Sequence, residues 1–414
     1  MKEDDEGESK MNIYYEMPSD EMDFWKINDN SHLISIKWTR NLSCDYQKMA
    51  EEFFRCGHSI FNEVIESGHD NIKSDMWFLP GIFMLRQSIE LLLKSLICRV
   101  HMHKPEIQSD LVECKHNLYE LYKRYEKKES FLSNEEHSWL MQYLFSLEEV
   151  DEKSDVFRFP FEDDFLSQYR DKFLDNVDVA NNMLQAYALV KKCFNKGVFD
   201  AGDTFYSEFK PHFLIFANHG IGNCYLWQAP SDDGFHAKVV GYLESIDYLY
   251  NDDFLNINTK FYPLMFMYRN TIELCLKRYF YKRIDDGIPE KFFWSKRKSH
   301  LLKKDLWKYV KPLIERYTES INDSDDMIKI VEKQIMFISL IDKNGDTFRY
   351  PTSYSLEYKF DDVVLDYDNA YCYYRSLINF LDGVDTLIEN DIELQNELRA
   401  EYEAELRVDM DSYY

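Results

Sequence analysis

Apolar residues recur at helical spacing through most of the chain. Leu85, Ile89, Leu92, Leu93 and Leu96 mark one helical face, and Ile272, Cys275 and Leu276 mark another. This periodicity predicts helices over about 46–66, 77–101, 116–127, 134–149 and 170–195, then about 238–251, 260–283, 298–319, 324–341 and 361–390. The pattern breaks across residues 196–235, where Gly197, Gly202, Pro211, Gly220, Gly222, Pro230 and Gly234 collect. That stretch carries a few extended-looking apolar pieces, such as His212 to Phe216. The expected organisation is a disordered tail (1–12), a helical unit (13–195), a connector (196–235), a second helical unit (236–405) and a closing tail (406–414). Short links between such helices predict helical hairpins and bundles, so the fold class is mainly α.

Polar positions repeat as well as apolar ones. Residues 79–94 read LPGIFMLRQSIELLLK, and residues 262–277 read YPLMFMYRNTIELCLK. Lys115-His116-Asn117-Leu118 is answered by Ser299-His300-Leu301-Leu302. Asp155-Val-Phe-Arg-Phe-Pro160 is answered by Asp346-Thr-Phe-Arg-Tyr-Pro351. The order is kept, and a period this long is a domain's rather than a solenoid repeat's. The expectation is two duplicated helical-bundle domains packed as an intrachain pseudo-dimer, with a short mixed connector.

Composition narrows the function classes. Glycine (13) and proline (10) are scarce among 414 residues, which favours helices over a sandwich or barrel. No apolar run approaches the roughly 18 residues of a membrane span. The opening MKEDDEGESK is the opposite of a secretory signal, so a cytoplasmic, non-membrane protein is expected. Eight scattered cysteines without a CxxC pair predict reduced thiols rather than disulfides or structural zinc. A net charge of −26 disfavours broad adhesion to nucleic acid, which is mainly phosphate neutralisation. The charge is uneven, however. From Lys277 to Lys311 twelve Lys or Arg face four Asp or Glu, and Lys94 to Lys128 has eight against five. Such a patch, which includes Lys298, is either a focused polyanion site or a solvated helical face.

Three repeated sets carry candidate chemistry. Arg86, Glu90 and Lys94 lie four residues apart, as do Arg269, Glu273 and Lys277, so each trio shares a helical side beside the apolar stripe. Each trio is either a salt-bridge ladder or the lining of a cleft between units. His116 and His300 fall near predicted helix starts, where exposed N–H groups and the macrodipole favour a neutral imidazole. The competing role is a capping or core histidine. Arg158 and Arg349 precede a ring and a proline, and proline stiffens the residue before it. A stiff loop can aim a guanidinium at a phosphate, or pair internally as Asp155 with Arg158 and Asp346 with Arg349. No GxxxxGK(S/T), GxGxxG, HExxH or GxSxG motif occurs. Glu113 and His116 have the ExxH spacing of carboxylate-bridged metal bundles, but Arg297 stands in the glutamate's place before His300. No metal or cofactor is expected.

The order of these motifs resembles the HEPN superfamily, whose members show E-x-x-L-K followed after a loop by H-(D/N)-L-x-x-L. Glu90-Leu-Leu-Leu-Lys94 with His116-Asn-Leu-Tyr-Glu-Leu121 matches that outline, and Glu273-Leu-Cys-Leu-Lys277 with His300-Leu-Leu matches it more loosely. The resemblance covers about 50 residues of each segment. It implies small helical bundles of prokaryotic defence or toxin type. Catalytic members are similar to metal-independent ribonucleases that act as dimers, with R-x4-6-H from each bundle facing a shared cleft. Here that motif has no matched pair: Arg99-Val-His101-Met-His103 comes close, whereas Arg283 has no such histidine after it.

Two function classes follow. One is an RNA-cleaving effector with His116, His300, Arg86, Arg269, Arg158 and Arg349 as catalytic candidates. Glu90, Glu273, Lys94, Lys277 and Lys298 are its candidate substrate contacts. The other is a noncatalytic helical scaffold that holds a nucleotide or a protein partner. Oligomerisation is compatible with both.

Overall fold

A computed structural model of the protein describes residues 16–28, 32–68, 70–228, 234–282, 298–318 and 324–411. Among them twelve helices and five short strands form a mainly helical protein. The earlier segment contributes α1 (Leu42–Ser67), α2 (Phe78–Val100), α3 (Lys104–Cys114), α4 (Leu118–Glu126), α5 (Asn134–Asp151), α6 (Asp163–Tyr169) and α7 (Asn176–Phe194). The later one contributes α8 (Phe235–Asn251), α9 (Ile257–Lys282), α10 (Lys308–Thr318), α11 (Ser324–Ile341) and the long α12 (Tyr367–Asp411). The predicted helices are all present in outline, and α3 and α6 are additions. α3 opens on Lys104-Pro105, where proline's fixed φ suits a first turn. The predicted 361–390 helix begins later, after a strand, and runs on to Asp411. The expected tail at 1–12 lies outside the described residues, as do Arg283 and much of the basic stretch.

Two helices form the centre. Every residue of α2 from Phe78 to Cys98 is buried, and so is every residue from Thr259 to Phe280 in α9. Apolar side chains cover most of both helices, and the charged ones pair along the helix, so neither helix keeps a solvent face. α1 lies tightly along α2, because Gly57 and Gly81 sit at the crossing. A Cβ on Gly57 would come 2.8 Å from Met84 Cβ, and one on Gly81 would come 2.6 Å from the Phe61 ring. α1 also packs on α9, with Phe53 against Phe266 at 6.1 Å between ring centres. α2 and α9 meet through Phe83 and Phe266, stacked at 4.7 Å and 21°. One apolar core therefore runs through both segments.

The strands are ties rather than a layer. β1 (Leu33–Ile36) pairs antiparallel with β5 (Val363–Asp366), with Leu33 opposite Asp366 and Ile36 opposite Val363. This joins the start of the chain to the lead-in of α12. In the connector, β3 (Phe216–Ala217) and β4 (Cys224–Tyr225) flank β2 (Phe173–Leu174). No helix among the described residues is long and apolar enough to cross a membrane. All eight cysteines are free thiols.

Candidate functional site

The repeated trios are buried in α2 and α9 rather than set at the rim of a packing face. Arg86, Glu90 and Lys94 are at most 2% exposed, and Arg269, Glu273 and Lys277 at most 4%. Buried charges must be paired and hydrogen-bonded, and these are, apart from the Nε atoms of Arg86 and Arg269, which have no hydrogen-bond partner. The Arg86 guanidinium binds Glu90 and donates to the His116 carbonyl at 2.8 Å. Arg269 donates to Glu273 at 3.0 Å and to the His300 carbonyl at 2.7 Å. Lys94 and Lys277 each donate to their glutamate at 2.7 Å. Each arginine thus fixes the backbone that carries the histidine.

The glutamates then fix the histidine rings. Asn117 caps α4 by accepting from Glu120 N at 2.7 Å, which leaves His116 just before the first turn. His116 Nδ1 lies 3.0 Å from Glu90 Oε1, and His300 Nδ1 lies 2.8 Å from Glu273 Oε1. An ionised carboxylate only accepts, so Nδ1 carries the proton and Nε2 keeps the lone pair. Burial raises Glu90, but Lys94, His116 and Arg86 outweigh it and hold its carboxyl well below the usual range. Glu273 is held low in the same way by Lys277, His300 and Arg269 against its burial. Burial pushes the His116 imidazole down to about 4 despite Glu90, so it is neutral at pH 7.

The two Asp-x-Phe-Arg loops cross over. Each follows a helix end where a buried aspartate ties the turn. Asp151 Oδ1 accepts from Asp155 N at 2.9 Å and Val156 N at 3.1 Å, and Asp342 Oδ1 accepts from Asp346 N and Thr347 N at 2.9 and 3.0 Å. Ser154 and Gly345 occupy the same point of the two turns, both left-handed, with φ of 60° and 75°. The loop of the earlier segment docks on α9, where Arg158 Nε donates to Asn270 Oδ1 at 3.2 Å. Its Phe159 ring lies 4.0 Å from Lys277 Nζ and 5.7 Å from the His300 ring centre. The loop of the later segment docks on α2. Arg349 donates to Gln87 Oε1 at 2.9 Å and to Ser154 Oγ at 3.0 Å. The Tyr350 hydroxyl donates to Glu90 Oε1 at 2.7 Å, with Lys94 Nζ 4.2 Å from its ring centre. Each histidine cluster is completed by the loop of the other segment.

These groups meet at one cavity of about 190 Å³, whose lining includes Lys94, His116, Arg158, His300, Arg349 and Tyr350. Both histidines and both loop arginines therefore face one space. Arg86, Arg269, Glu90, Glu273 and Lys277 stand behind that wall. Lys298 does not line it and lies at the surface, 3.6 Å from Glu162. The internal side-chain pairs Asp155–Arg158 and Asp346–Arg349 do not form. Asp346 pairs instead with Lys359 at 2.7 Å. Arg99 and His101 are held elsewhere: Arg99 by the Phe194 carbonyl and Glu129, His101 by Glu106 and Asp110. No cluster of three or more metal-ligating side chains occurs among the described residues.

Sequence reading missed Asp151, Asp342, Gln87 and Asn270. The signal was available, because each pair sits at the same offset as its neighbouring motif. In comparisons with known proteins, no family model, no curated protein and no solved structure matches this chain.

Proposed function

We propose that the two matched segments are duplicated helical units of HEPN type, packed as a pseudo-dimer within one chain, and that the cavity between them cleaves RNA without a metal ion, in a defence or toxin role. One observation supports this above others: His116, His300, Arg158 and Arg349 line a single cavity, and each segment supplies a loop to the other's histidine. A shared site of this kind needs both units.

The chemistry would run by transesterification. His116 Nε2 takes the proton of a ribose 2′-hydroxyl, and the 2′-oxygen forms a bond to phosphorus. The bond from phosphorus to the 5′-oxygen breaks, and that leaving oxygen takes a proton from His300, which must first have gained one from solvent at Nε2. The products are a 2′,3′-cyclic phosphate and a 5′-hydroxyl. Arg158 and Arg349 offset the charge that grows on the phosphoryl oxygens. An imidazole titrating near 4 is always free to accept but is a weak base, so its contribution falls near the lower end, about 100-fold.

The test is a His116→Ala, His300→Ala double variant on a mixed RNA substrate. Cleavage should fall at least about 100-fold while the protein stays folded. Undiminished cleavage would remove both histidines from the mechanism.

A second reading is a noncatalytic nucleotide holder. The same lining serves it, since two buried guanidiniums can hold a nucleotide's phosphate whether or not a histidine acts on it. Nucleotide binding by a protein that never cleaves RNA would select it.

A further inference from the structure

The charges around the cavity do not balance. Ten ionisable side chains in this cluster are buried: Arg86, Lys94, Arg158, Arg269, Lys277 and Arg349 against Glu90, Asp151, Glu273 and Asp342. Among the buried groups six cations thus face four carboxylates; Asp155 and Asp346 also line the cavity but are only partly buried, and Asp346 pairs with Lys359 at 2.7 Å. The location of the buried surplus follows from the pairing. Glu90 and Glu273 each serve the arginine and lysine of their own helix, and Arg86 Nε also lies 3.1 Å from Asp151. Arg158 and Arg349 are 5% exposed, and their side-chain hydrogen bonds go to Asn270, Gln87 and Ser154, all neutral.

Both guanidiniums also flank one pair of rings. Arg158 lies 5.7 Å from the Phe83 ring centre and 5.4 Å from Phe266, and Arg349 lies 5.3 and 5.9 Å from the same two. The π faces ease the burial of a cation but neutralise nothing. Burial and the neighbouring Arg349 charge push the Arg158 guanidinium down to about 10. Glu273 and Asp155 offset Arg158 only in part and without a hydrogen bond to its side chain, so a like-charge pair at this depth is costly. A ligand that brings two negative charges removes the cost.

We infer that Arg158 and Arg349 together bind a terminal phosphoryl group, a phosphomonoester dianion, as their ground-state ligand. This deepens the RNA reading above and rests on it for the source of that group. A diester phosphate carries one charge and matches the pair only in the transition state. A terminal phosphate carries nearly two at pH 7. The cavity's size agrees, because a phosphoryl end group fits about 190 Å³ where a whole drug-sized ligand does not. A phosphorylated RNA end would then hold the two arginines in the ground state and exclude the scissile diester from them while bound, and the acidic surface elsewhere offers little grip along the strand.

Binding can be read apart from cleavage with a short fluorescent 2′-O-methyl oligoribonucleotide, which has no 2′-hydroxyl to react. It is prepared with a 5′-phosphate, with a 3′-phosphate, or with hydroxyls at both ends. One phosphorylated form should bind roughly 10- to 100-fold more tightly than the hydroxyl-ended form, the scale of a set of charge-assisted hydrogen bonds. Arg158→Gln and Arg349→Gln should each erase that preference. Should either fail to fold, Arg158→Lys and Arg349→Lys keep the charge but lose the fork, and should reduce the preference severalfold. Adenosine monophosphate competing as well as the oligonucleotide, with adenosine inert, would support the dianion site and assign it to free nucleotides. Equal binding of all ends, or no binding by any probe, overturns the inference. Cleavage of hydroxyl-ended RNA at full rate alongside equal binding would leave the ribonuclease reading standing and reserve the two charges for the transition state.

Discussion

At the residue scale, the buried charge network makes single substitutions informative. Glu90 Oε1 accepts from Lys94, His116 and Tyr350 while Oε2 holds Arg86, so its carboxylate compensates several buried donors at once. Glu90→Ala should cost about 3–5 kcal/mol in chemical denaturation, the usual result of stranding buried partners. A loss below about 1 kcal/mol would mean that water or relaxation satisfies them. His116 gives a pH signature. Its folded value near 4 lies below the ordinary 6.5, so between these values the unfolded chain binds a proton that the folded one refuses. Stability from this group is complete above pH 6.5 and is lost as pH falls toward 4, by about 2 kcal/mol after allowance for its partial exposure. His116→Gln should flatten that part of the stability profile. Glu52 on α1 runs the other way. Burial lifts its carboxyl to about 8 despite Lys48 at 3.9 Å, and one oxygen has no hydrogen-bond partner. Its raised value means stability is lost as pH rises from about 4.5 through 8. Glu52→Gln should therefore raise the melting temperature at pH 8 and leave it nearly unchanged at pH 4.

At the element scale, α12 divides into two parts. Up to Ile388 it packs into the core, whereas the residues from Glu389 to Arg407 are exposed or nearly so. Leu394, Leu398, Tyr402 and Leu406 are between 44% and 62% exposed. An overhang that buries so little contributes little to folding. A chain ending at Asp391 should melt within about 2 °C of the full protein, and a larger drop would show that the overhang is anchored. The Asp-x-Phe-Arg loops are the opposite case: short, stiff and fully engaged. Their motif was legible because its residue types repeat. Its destination was not, because nothing in Arg158-Phe159 says that the receiving helix is α9 rather than α2.

At the scale of the whole molecule, the two segments are not separable pieces. The Phe83–Phe266 stack, the crossed loops and the β1–β5 pairing all run between them. Residues 1–195 expressed alone should expose the α2 face and the empty loop dock, giving a species that binds hydrophobic dyes and lacks a cooperative thermal transition. Supplying residues 196–414 in the same cell should restore one transition. Cooperative melting of the first segment by itself would refute the interlocked description.

The sequence by itself determined the helices, the scarcity of sheet, and the repeated set of arginine, glutamate, lysine and histidine. Local spacing decides all of these, since apolar periodicity and capping act within a few residues. It placed α2 and α9 correctly but set their charged trios beside the packing face, because spacing gives an angle around a helix and not a depth in the core. Only the tertiary structure decided which loop serves which histidine, and that two guanidiniums end up buried with only neutral side chains as hydrogen-bond acceptors. Those facts depend on residues more than a hundred positions apart, brought together by the packing of two buried helices.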